Sequence, residues 1–400
     1  MTTTKNNEHK KLNAPNLRFP EFEGEWEKCT LEDVMNFSTT RVNSSELNED
    51  NYVSTENMLQ DYQGVMEAKS VPEDVNVISF SCGDILISNI RPYLKKVWKA
   101  TFNGGCSSDV FVLKANNNIE SDYLHYVIAN DKFINFVMSG AKGVKMPRGD
   151  KNQMKTYSLS LPQIQEQKKI GKMLSLLDER IVTQNKIIDK LQSLIKGLND
   201  SLYAQYGGKV LTSFAELGTS YSGLSGKSAQ DFGSGKPFIT YLNVYSNNVI
   251  NENEFQYVAI KDDEKQNFAE YGDVLFTLSS ETPEEVGIGS VYLGKEKVYL
   301  NSFCFGIHIT NAAIAFPPYL SYYVSSTAFR KFIYPYAQGS TRFNLCKADF
   351  EKASIKLPTL ENQKRIYSIL SHIDSKIETE RQMLDLYNSQ KQYLLRQMFI

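Results

Sequence analysis

No run of about eighteen consecutive apolar residues occurs in this 400-residue sequence, so no transmembrane helix is expected and a membrane is excluded as a partner. The opening residues Met1 to Lys11 are polar and lack the apolar core of a signal peptide, which predicts a cytoplasmic location. Cysteine is sparse. Cys29, Cys82, Cys106, Cys304 and Cys346 are odd in number and contain no Cys-x-x-Cys pair, which excludes a disulfide framework and a zinc site and leaves reduced, buried thiols as the expectation. Charge of one sign is also missing: 44 basic and 46 acidic residues leave a formal charge of -2. A protein-wide field for polyanions is therefore absent, and any nucleic-acid surface must be local.

The usual motifs of catalysis are missing as well. Phe316-Pro317-Pro318-Tyr319 has the prolines and aromatic residue of an amino-methyltransferase motif, but phenylalanine stands where a hydrogen-bond acceptor must hold the target amine. The segment is better read as the start of a helix. Asp231-Phe232-Gly233-Ser234-Gly235-Lys236 is glycine-rich without the spacing of a phosphate or dinucleotide loop. Glu67-Ala68-Lys69 lacks the upstream carboxylate a metal-dependent nuclease needs. His9, His125, His308 and His372 have no metal-ligand spacing and no nucleophile motif beside them. No intrinsic catalysis, no metal and no cofactor on this chain are expected.

What is present is a tandem repeat. A shift of 196 residues brings Tyr123-Leu124 onto Tyr319-Leu320, Phe133 onto Phe329, Gly143 onto Gly339, Leu161-Pro162 onto Leu357-Pro358, Gln167-Lys168 onto Gln363-Lys364 and Asp178 onto Asp374 without a gap. Upstream the match continues with small shifts, as in Gly83-Asp84-Ile85-Leu86-Ile87 and Gly272-Asp273-Val274-Leu275-Phe276. Short β-branched and aromatic runs predict strands at Val75 to Phe80, Ile85 to Ser88 and Val110 to Leu113, then at Val274 to Leu278, Gly289 to Leu293 and Phe303 to Ile309. Tyr123 to Met138 and Tyr319 to Tyr334 have helical periodicity.

Long helices begin after Pro162 and Pro358. Ile170, Leu174, Leu177, Ile181, Ile188 and Leu191 step by three and four with one polar interruption at Gln184. Ile366, Leu370, Ile373, Ile377 and Leu384 repeat the seam, with Glu380 at the polar step and Lys391 in place of Ile195. Such heptads predict a coiled coil. The fold class is α+β: two tandem mixed α/β modules, each followed by a long helix, the helices pairing antiparallel about an internal pseudo-two-fold. The domains are expected at 15–158, 159–207 (first helix), 208–354 and 355–400 (second helix).

Local basic clusters stand out against the neutral total. Arg91, Lys95, Lys96 and Lys99 interleave with Tyr93 and Trp98, and Lys142, Lys145, Arg148, Lys151 and Lys155 lie beside Gly140, Gly143 and Gly149. The matching stretch of the second repeat contains Gly339, Ser340, Thr341, Arg342 and Asn344. Phosphate contacts with a few base-edge readers suit such loops. Arg91, Tyr93, Lys95, Lys96, Lys142, Lys145, Arg148, Lys227, Ser340, Thr341, Arg342 and Asn344 are the candidate DNA-binding residues.

Leu161-Pro162 followed by Glu166-Gln167-Lys168-Lys169-Ile170 and Asp178, its echo Leu357-Pro358 with Asn362-Gln363-Lys364-Arg365-Ile366 and Asp374, and the opening Pro15-Asn16-Leu17-Arg18-Phe19-Pro20 with Trp26 resemble the specificity subunits of type I restriction-modification systems. The one departure is Asn362 where the first copy has Glu166. The resemblance implies a non-catalytic subunit whose two target-recognition domains each read half of a split target in double-stranded DNA. It also implies two methylation subunits docked on the conserved helices and carrying S-adenosylmethionine, and restriction subunits using ATP and Mg. The competing class is a coiled-coil adaptor linking two protein-binding modules, which leaves the basic, glycine-rich loops unexplained.

If the helices set the separation of the readers, the seam from Ile170 to Leu202, roughly 48 Å at 1.5 Å per residue, acts as a ruler for target halves about one DNA turn apart. Inserting four residues between Tyr206 and Gly207 is expected to shift the preferred spacer by one or two base pairs, lengthening the rod by up to ~6 Å. Methylation by the reconstituted complex on duplexes differing only in spacer length measures this; an unchanged spacing at full activity refutes the ruler.

Overall fold

The computed structural model describes residues 13–400. The chain packs as two units, one running to Asn185 and including Gln382–Ile400, the other Lys186–Arg381. Each unit contains one module and part of each long helix, Ile164–Tyr206 and Leu360–Met398.

In the first unit an antiparallel sheet has the order Met35–Phe37, Val110–Ala115, Ile85–Ser88, Val97–Lys99. Its central strand is buried throughout, so it reads as a continuous apolar run. Ile85 and Ile87 point into the core shared with the helices, whereas Leu86 points into a second core with Val53, Phe80 and Cys106. That second core lies under a sheet of Arg41–Asn43, Asn76–Phe80, Gly104–Cys106 and Tyr52–Val53, the last pair parallel. Glu27–Thr30 pairs antiparallel with Ser158–Leu161, bringing the two ends of the module together.

The second unit repeats the plan with Gly218–Ser222, Cys304–Ile309, Val274–Thr277 and Gly289–Val291 in one sheet. Val210–Thr212 closes against Ile355–Leu357. Here too alternate residues of the central strand divide between two cores, Val274 and Phe276 in one and Leu275 in the other. Its second sheet, Gln256–Val258, Phe232–Ile239 and Tyr299–Leu300, has a different strand arrangement and a bulge between Phe232 and Lys236. The modules therefore differ most in this layer.

The aromatic segments, read from sequence as one helix each, are each two helices. Ser121–Ile128 is followed by Asp131–Ser139, and Pro317–Tyr323 by Thr327–Ile333. The breaks come where a side chain caps a new start: Asn130 accepts from the Lys132 amide, and Ser326 from the Phe329 amide. Apolar periodicity passes through both breaks, which hid them. Phe316 precedes its helix with prolines in the first positions, as expected. Cys106 and Cys304 are buried free thiols, but Cys82 is exposed, against the expectation of burial.

The repeated Gln has a physical reason. Gln167 is buried in the first turn of the first long helix, where its amide donates to the carbonyls of Asn118 (3.2 Å) and Pro162 (2.9 Å) while its oxygen accepts from the Glu120 amide (2.8 Å). Gln363 makes the same set with Ile314 (2.7 Å), Pro358 (2.9 Å) and the Phe316 amide (2.8 Å). One carboxamide thus ties the Leu-Pro strand end, the loop before the aromatic helix and the long helix. The aromatic helix is tied again one step along: the Tyr126 hydroxyl donates to Asp178 (2.8 Å), and that of Tyr322 to Asp374.

Within the first unit the start of one long helix lies beside the end of the other: Ile170 and Leu174 share a core with Leu395, Met398 and Phe399, and Lys391 pairs with Asp178 at 2.6 Å. Within the second, Ile195, Leu198 and Leu202 pack with Ile366 and Leu370, and the Arg365 guanidinium lies over the Tyr206 ring. The pairing is antiparallel in each. Of the seam, Ile170, Leu174, Leu177, Gln184, Ile188, Ile366, Leu370, Ile377 and Glu380 are buried, and Ile181, Leu191, Ile373 and Leu384 are partly so. Lys391, a cation in an apolar register, is accounted for by Asp178.

Removing the clamp strands several buried backbone groups at once. Gln167→Ala and Gln363→Ala are each expected to cost roughly 2 to 4 kcal/mol. Urea unfolding of the full chain tests this, and a loss below 1 kcal/mol for both would show the carboxamides to be dispensable.

Candidate nucleic-acid interface

The two basic clusters of the first module, separate in sequence, meet in space. The Arg91 amide donates to the Pro147 carbonyl (2.8 Å) and the Gly149 amide to that of Asn89 (3.0 Å), so the loop at 91–95 and the hairpin at 142–148 lie side by side. Arg91 and Lys95 both adopt positive φ (49° and 54°) around the short turn Pro92–Leu94, which leaves Tyr93 half exposed. Arg91, Lys142, Lys145 and Arg148 are exposed on this loop pair with Val144 and Met146. Lys142 pairs with Asp150 (2.9 Å) and Arg148 with Asp109 (2.7 Å), both at the surface. The ionised partner raises the pKa of Lys142 through its hydrogen bond, and that bond with the Gln153 and Asn152 amides lowers the pKa of Asp150.

The other lysines of the first cluster are occupied internally. Lys95 pairs with Asp131 (2.8 Å), the Lys96 ammonium donates to the Thr55 carbonyl (2.6 Å), and Lys99 pairs with Asp122. Partial burial lowers the pKa of Lys96. Lys151 lies over the rings of Phe111 (4.6 Å) and Phe37 (5.2 Å), and Lys155 pairs with Glu32.

In the second module Ser340, Thr341 and Arg342 form the exposed tip between Ala337–Gln338 and Phe343–Leu345, and Asn344 is exposed on the returning strand. That strand also pairs with Ser279–Ser280. Arg342 lies over the ring of Phe303 (5.9 Å), an exposed aromatic residue that the sequence reading passed over because it begins a strand. Arg330 is turned inward, donating to the carbonyls of Glu284, Val286 and Gly287, and burial lowers its pKa. Lys227 is nearly buried and remote in sequence from this hairpin, donating to the Ala259 carbonyl (2.6 Å) and Glu264 (2.5 Å).

One polar set has the residue types of a catalytic triad. The buried Asp273 accepts from the Tyr221 hydroxyl (2.7 Å) and lies 2.9 Å from His308 Nδ1. The Tyr221 and His308 rings stack, so the set holds one edge of a sheet together rather than aiming a nucleophile outward. The matching aspartate of the first module, Asp84, faces Lys114 instead (3.7 Å). Among the described residues no three His, Cys, Asp or Glu side chains group as a metal requires, and no helix is long and apolar enough to cross a membrane.

The long helices carry a second surface that the heptad reading did not identify. In the first unit a groove of about 810 Å³ is lined by Phe19, Lys168, Lys172, Met173, Leu176 and Tyr387, among others. Leu176, Val182 and Leu386 are exposed off the seam, where the a/d pattern assigns solvent. Apolar residues at those register positions were the available signal. Beside this groove Arg18 makes a bidentate pair with the buried Glu166, 2.8 Å on each arm, anchoring the Leu17-Arg18-Phe19-Pro20 segment. In the second repeat only Gly207, Gly208 and Lys209 separate the long helix from the strand at Val210, so no segment equivalent to Leu17-Arg18-Phe19-Pro20 stands there, and the position matching Glu166 is a partly exposed Asn362.

The fold is thus a duplicated α+β protein with a helical frame common to both halves. The model of the type I restriction modification DNA specificity domain matches residues 23–193 and again 220–386. The chain therefore belongs to that family and is a specificity subunit, a non-catalytic DNA-recognition component. It is 28% identical over 347 residues to the putative type I restriction enzyme MjaX specificity subunit of Methanocaldococcus jannaschii, covering 77% of this chain and 76% of that one. A shorter match, 26% over 126 residues, is to the EcoDI specificity subunit of Escherichia coli and covers 32% of this chain and 28% of that one. In fold it resembles the crystal structure of a type I restriction-modification S subunit from M. genitalium (TM-score 0.59, 14% identity, 97% and 99% of the two chains covered). A chain from a structure of type I system assembly and conformational transition is similar at TM-score 0.58 and 18% identity, with 92% and 96% covered.

The Lys227 contact gives a pH expectation. Hydrogen bonds from Lys227 first, then Gln266, lower the Glu264 pKa from its ordinary 4.5 to about 2. A depressed folded value means the contact stabilises above the unfolded pKa and loses that contribution as pH falls from about 4.5 toward 2. Carboxylate NMR titration is expected to show the Glu264 midpoint rising toward its ordinary value in Lys227→Ala. A midpoint unmoved by the substitution would assign the depression to other groups.

Proposed function

We propose that this chain reads a bipartite sequence in double-stranded DNA, one half through each module, and directs adenine methylation and restriction by partner subunits. The observation that carries this reading is the repeated frame bearing unlike loop faces. Gln167 and Gln363 make the same contacts, whereas the exposed hairpins carry Lys142, Lys145 and Arg148 in one copy and Ser340, Thr341 and Asn344 in the other. A duplicated scaffold with divergent exposed loops suits two readers of different sequences, because the hydrogen-bonded frame constrains the core and leaves the loops open to change.

Arg91, Tyr93, Lys142, Lys145 and Arg148 form the proposed DNA face of the first module, and Ser340, Thr341, Arg342 and Asn344 that of the second. Lys95, Lys96 and Lys227 support loops. Two methylation subunits, carrying S-adenosylmethionine, are proposed to dock on the long helices, for which the groove beside Leu176 and its exposed apolar neighbours offer area. Restriction subunits using ATP and Mg complete the assembly, and the target adenine is flipped into the methylation subunit. The domains remain proposed as 15–158 and 208–354 for the readers, with 159–207 and 355–400 as the frame.

The purified chain with S-adenosylmethionine is expected neither to methylate nor to cut DNA, and to bind no cofactor tightly in calorimetry. With its methylation subunits it is expected to modify adenine at a split target. Methylation by the chain alone refutes this reading, and a chain that assembles with proteins but leaves DNA unselected indicates the adaptor instead.

A further inference from the structure

Two exposed hairpins in this protein share a backbone and differ in side chains. In the first module Lys142 and Arg148 exchange both backbone hydrogen bonds, 3.0 and 2.9 Å, and Arg148 also bridges to Ile90. In the second, Gln338 pairs with Asn344, which also bridges to Ser279. The next residue along closes each arrangement in the same way, the Gly149 amide on the Asn89 carbonyl and the Leu345 amide on that of Leu278. Both tips turn on a glycine of positive φ, Gly143 (97°) and Gly339 (141°). A Cβ there would lie 3.2 Å from the Met146 oxygen in one and 2.1 Å from the Arg342 oxygen in the other.

Arg148 and Asn344 thus occupy one position in one fold element. Both are exposed, so packing does not dictate the difference between them. A two-stranded ribbon fits the major groove of B-DNA, where arginine pairs bidentately with guanine O6 and N7 and asparagine with adenine N6 and N7. One Nη of Arg148 donates to Asp109 at 2.7 Å, and among the described residues its other donors are unused. Asp109 therefore positions the guanidinium without consuming it. Phe303, the residue before the matching strand, carries Arg342 instead, and the Asn344 carboxamide has no side-chain hydrogen bond among the described residues.

We infer that Arg148 and Asn344 are equivalent specificity-determining residues, the first reading a guanine in one half of the target and the second an adenine in the other. This rests on the DNA-reading function proposed above and deepens it. The ribbon places the same backbone in the groove in both modules, and the side chain at this position sets the base.

The test uses the full chain assembled with its methylation subunits and a library of DNA targets, with methylated sites identified by sequencing. Arg148→Asn is expected to replace guanine by adenine at one position of one half-site, changing the preference there about 10- to 100-fold, with the other half unaltered. Asn344→Arg is expected to make the reciprocal change in the other half. Arg148→Lys, which keeps the charge and loses the fork, is expected to relax the same position as Arg148→Asn at an unchanged melting temperature. If Arg148→Asn lowers the melting temperature, Arg148→Lys and Asn344→Arg decide the matter. Uniform weakening on all sequences, or no altered position, overturns the assignment while leaving DNA recognition intact. A wild-type complex with no sequence preference would instead overturn the proposed function.

Discussion

A buried carboxamide at the first turn of each long helix is the constraint on which the architecture depends. Gln167 and Gln363 each bond three backbone groups, one at the Leu-Pro strand end and two on the loop before the aromatic helix, 47 to 49 positions away. Leaving such groups unpaired in a buried site is expensive, so the helix, the Leu-Pro strand end and the aromatic helix are held in one relation. The Tyr126–Asp178 and Tyr322–Asp374 hydrogen bonds hold the same three-way junction one step further along. Burial raises the pKa of Asp374, and the Tyr322 hydroxyl opposes that shift by stabilising the carboxylate.

From this junction outward the requirements relax. The sheet containing Ile85–Ser88, and its counterpart Val274–Thr277, keep their order in both modules because alternate side chains fill cores on both faces. The second layer is bound by fewer such demands, and there the modules differ in strand number and register. The hairpins beyond it keep a backbone and change every side chain that faces solvent. A gradient from fixed frame to free loop is what a protein needs if one assembly is to present two different readers.

Charge shows the same economy. Lys95, Lys96, Lys99 and Lys227 looked like parts of a DNA surface, yet each is partly buried and bonded to an oxygen of its own module. Of the clustered cations of the first module, Arg91, Lys142, Lys145 and Arg148 are left exposed, come from both sequence clusters and sit on adjoining loops. Within the patch Asp150 and Asp109 pair with Lys142 and Arg148 and leave both cations exposed.

The amino-acid sequence by itself determined the duplication, the two long helices and their seam, and the family, because these reside in periodicity and in residues recurring at a constant spacing. It also showed that Gln167 and Gln363 matter, without showing why. The helix breaks at Asn130 and Ser326 were hidden because apolar periodicity runs through them, and only the cap hydrogen bonds expose the new starts. Which lysines stay exposed was equally illegible: a charge run records the presence of cations, whereas partners such as Thr55 and Asp131 lie 41 and 36 positions away in the chain and meet them only in the folded module. The constant offset of 196 already sets Arg148 against Asn344, but the joining of the 91–95 loop to the 142–148 hairpin, and the common backbone pairing that gives those two residues one structural role, were decided by tertiary structure alone, since backbone bridges between distant strands leave no mark on local sequence.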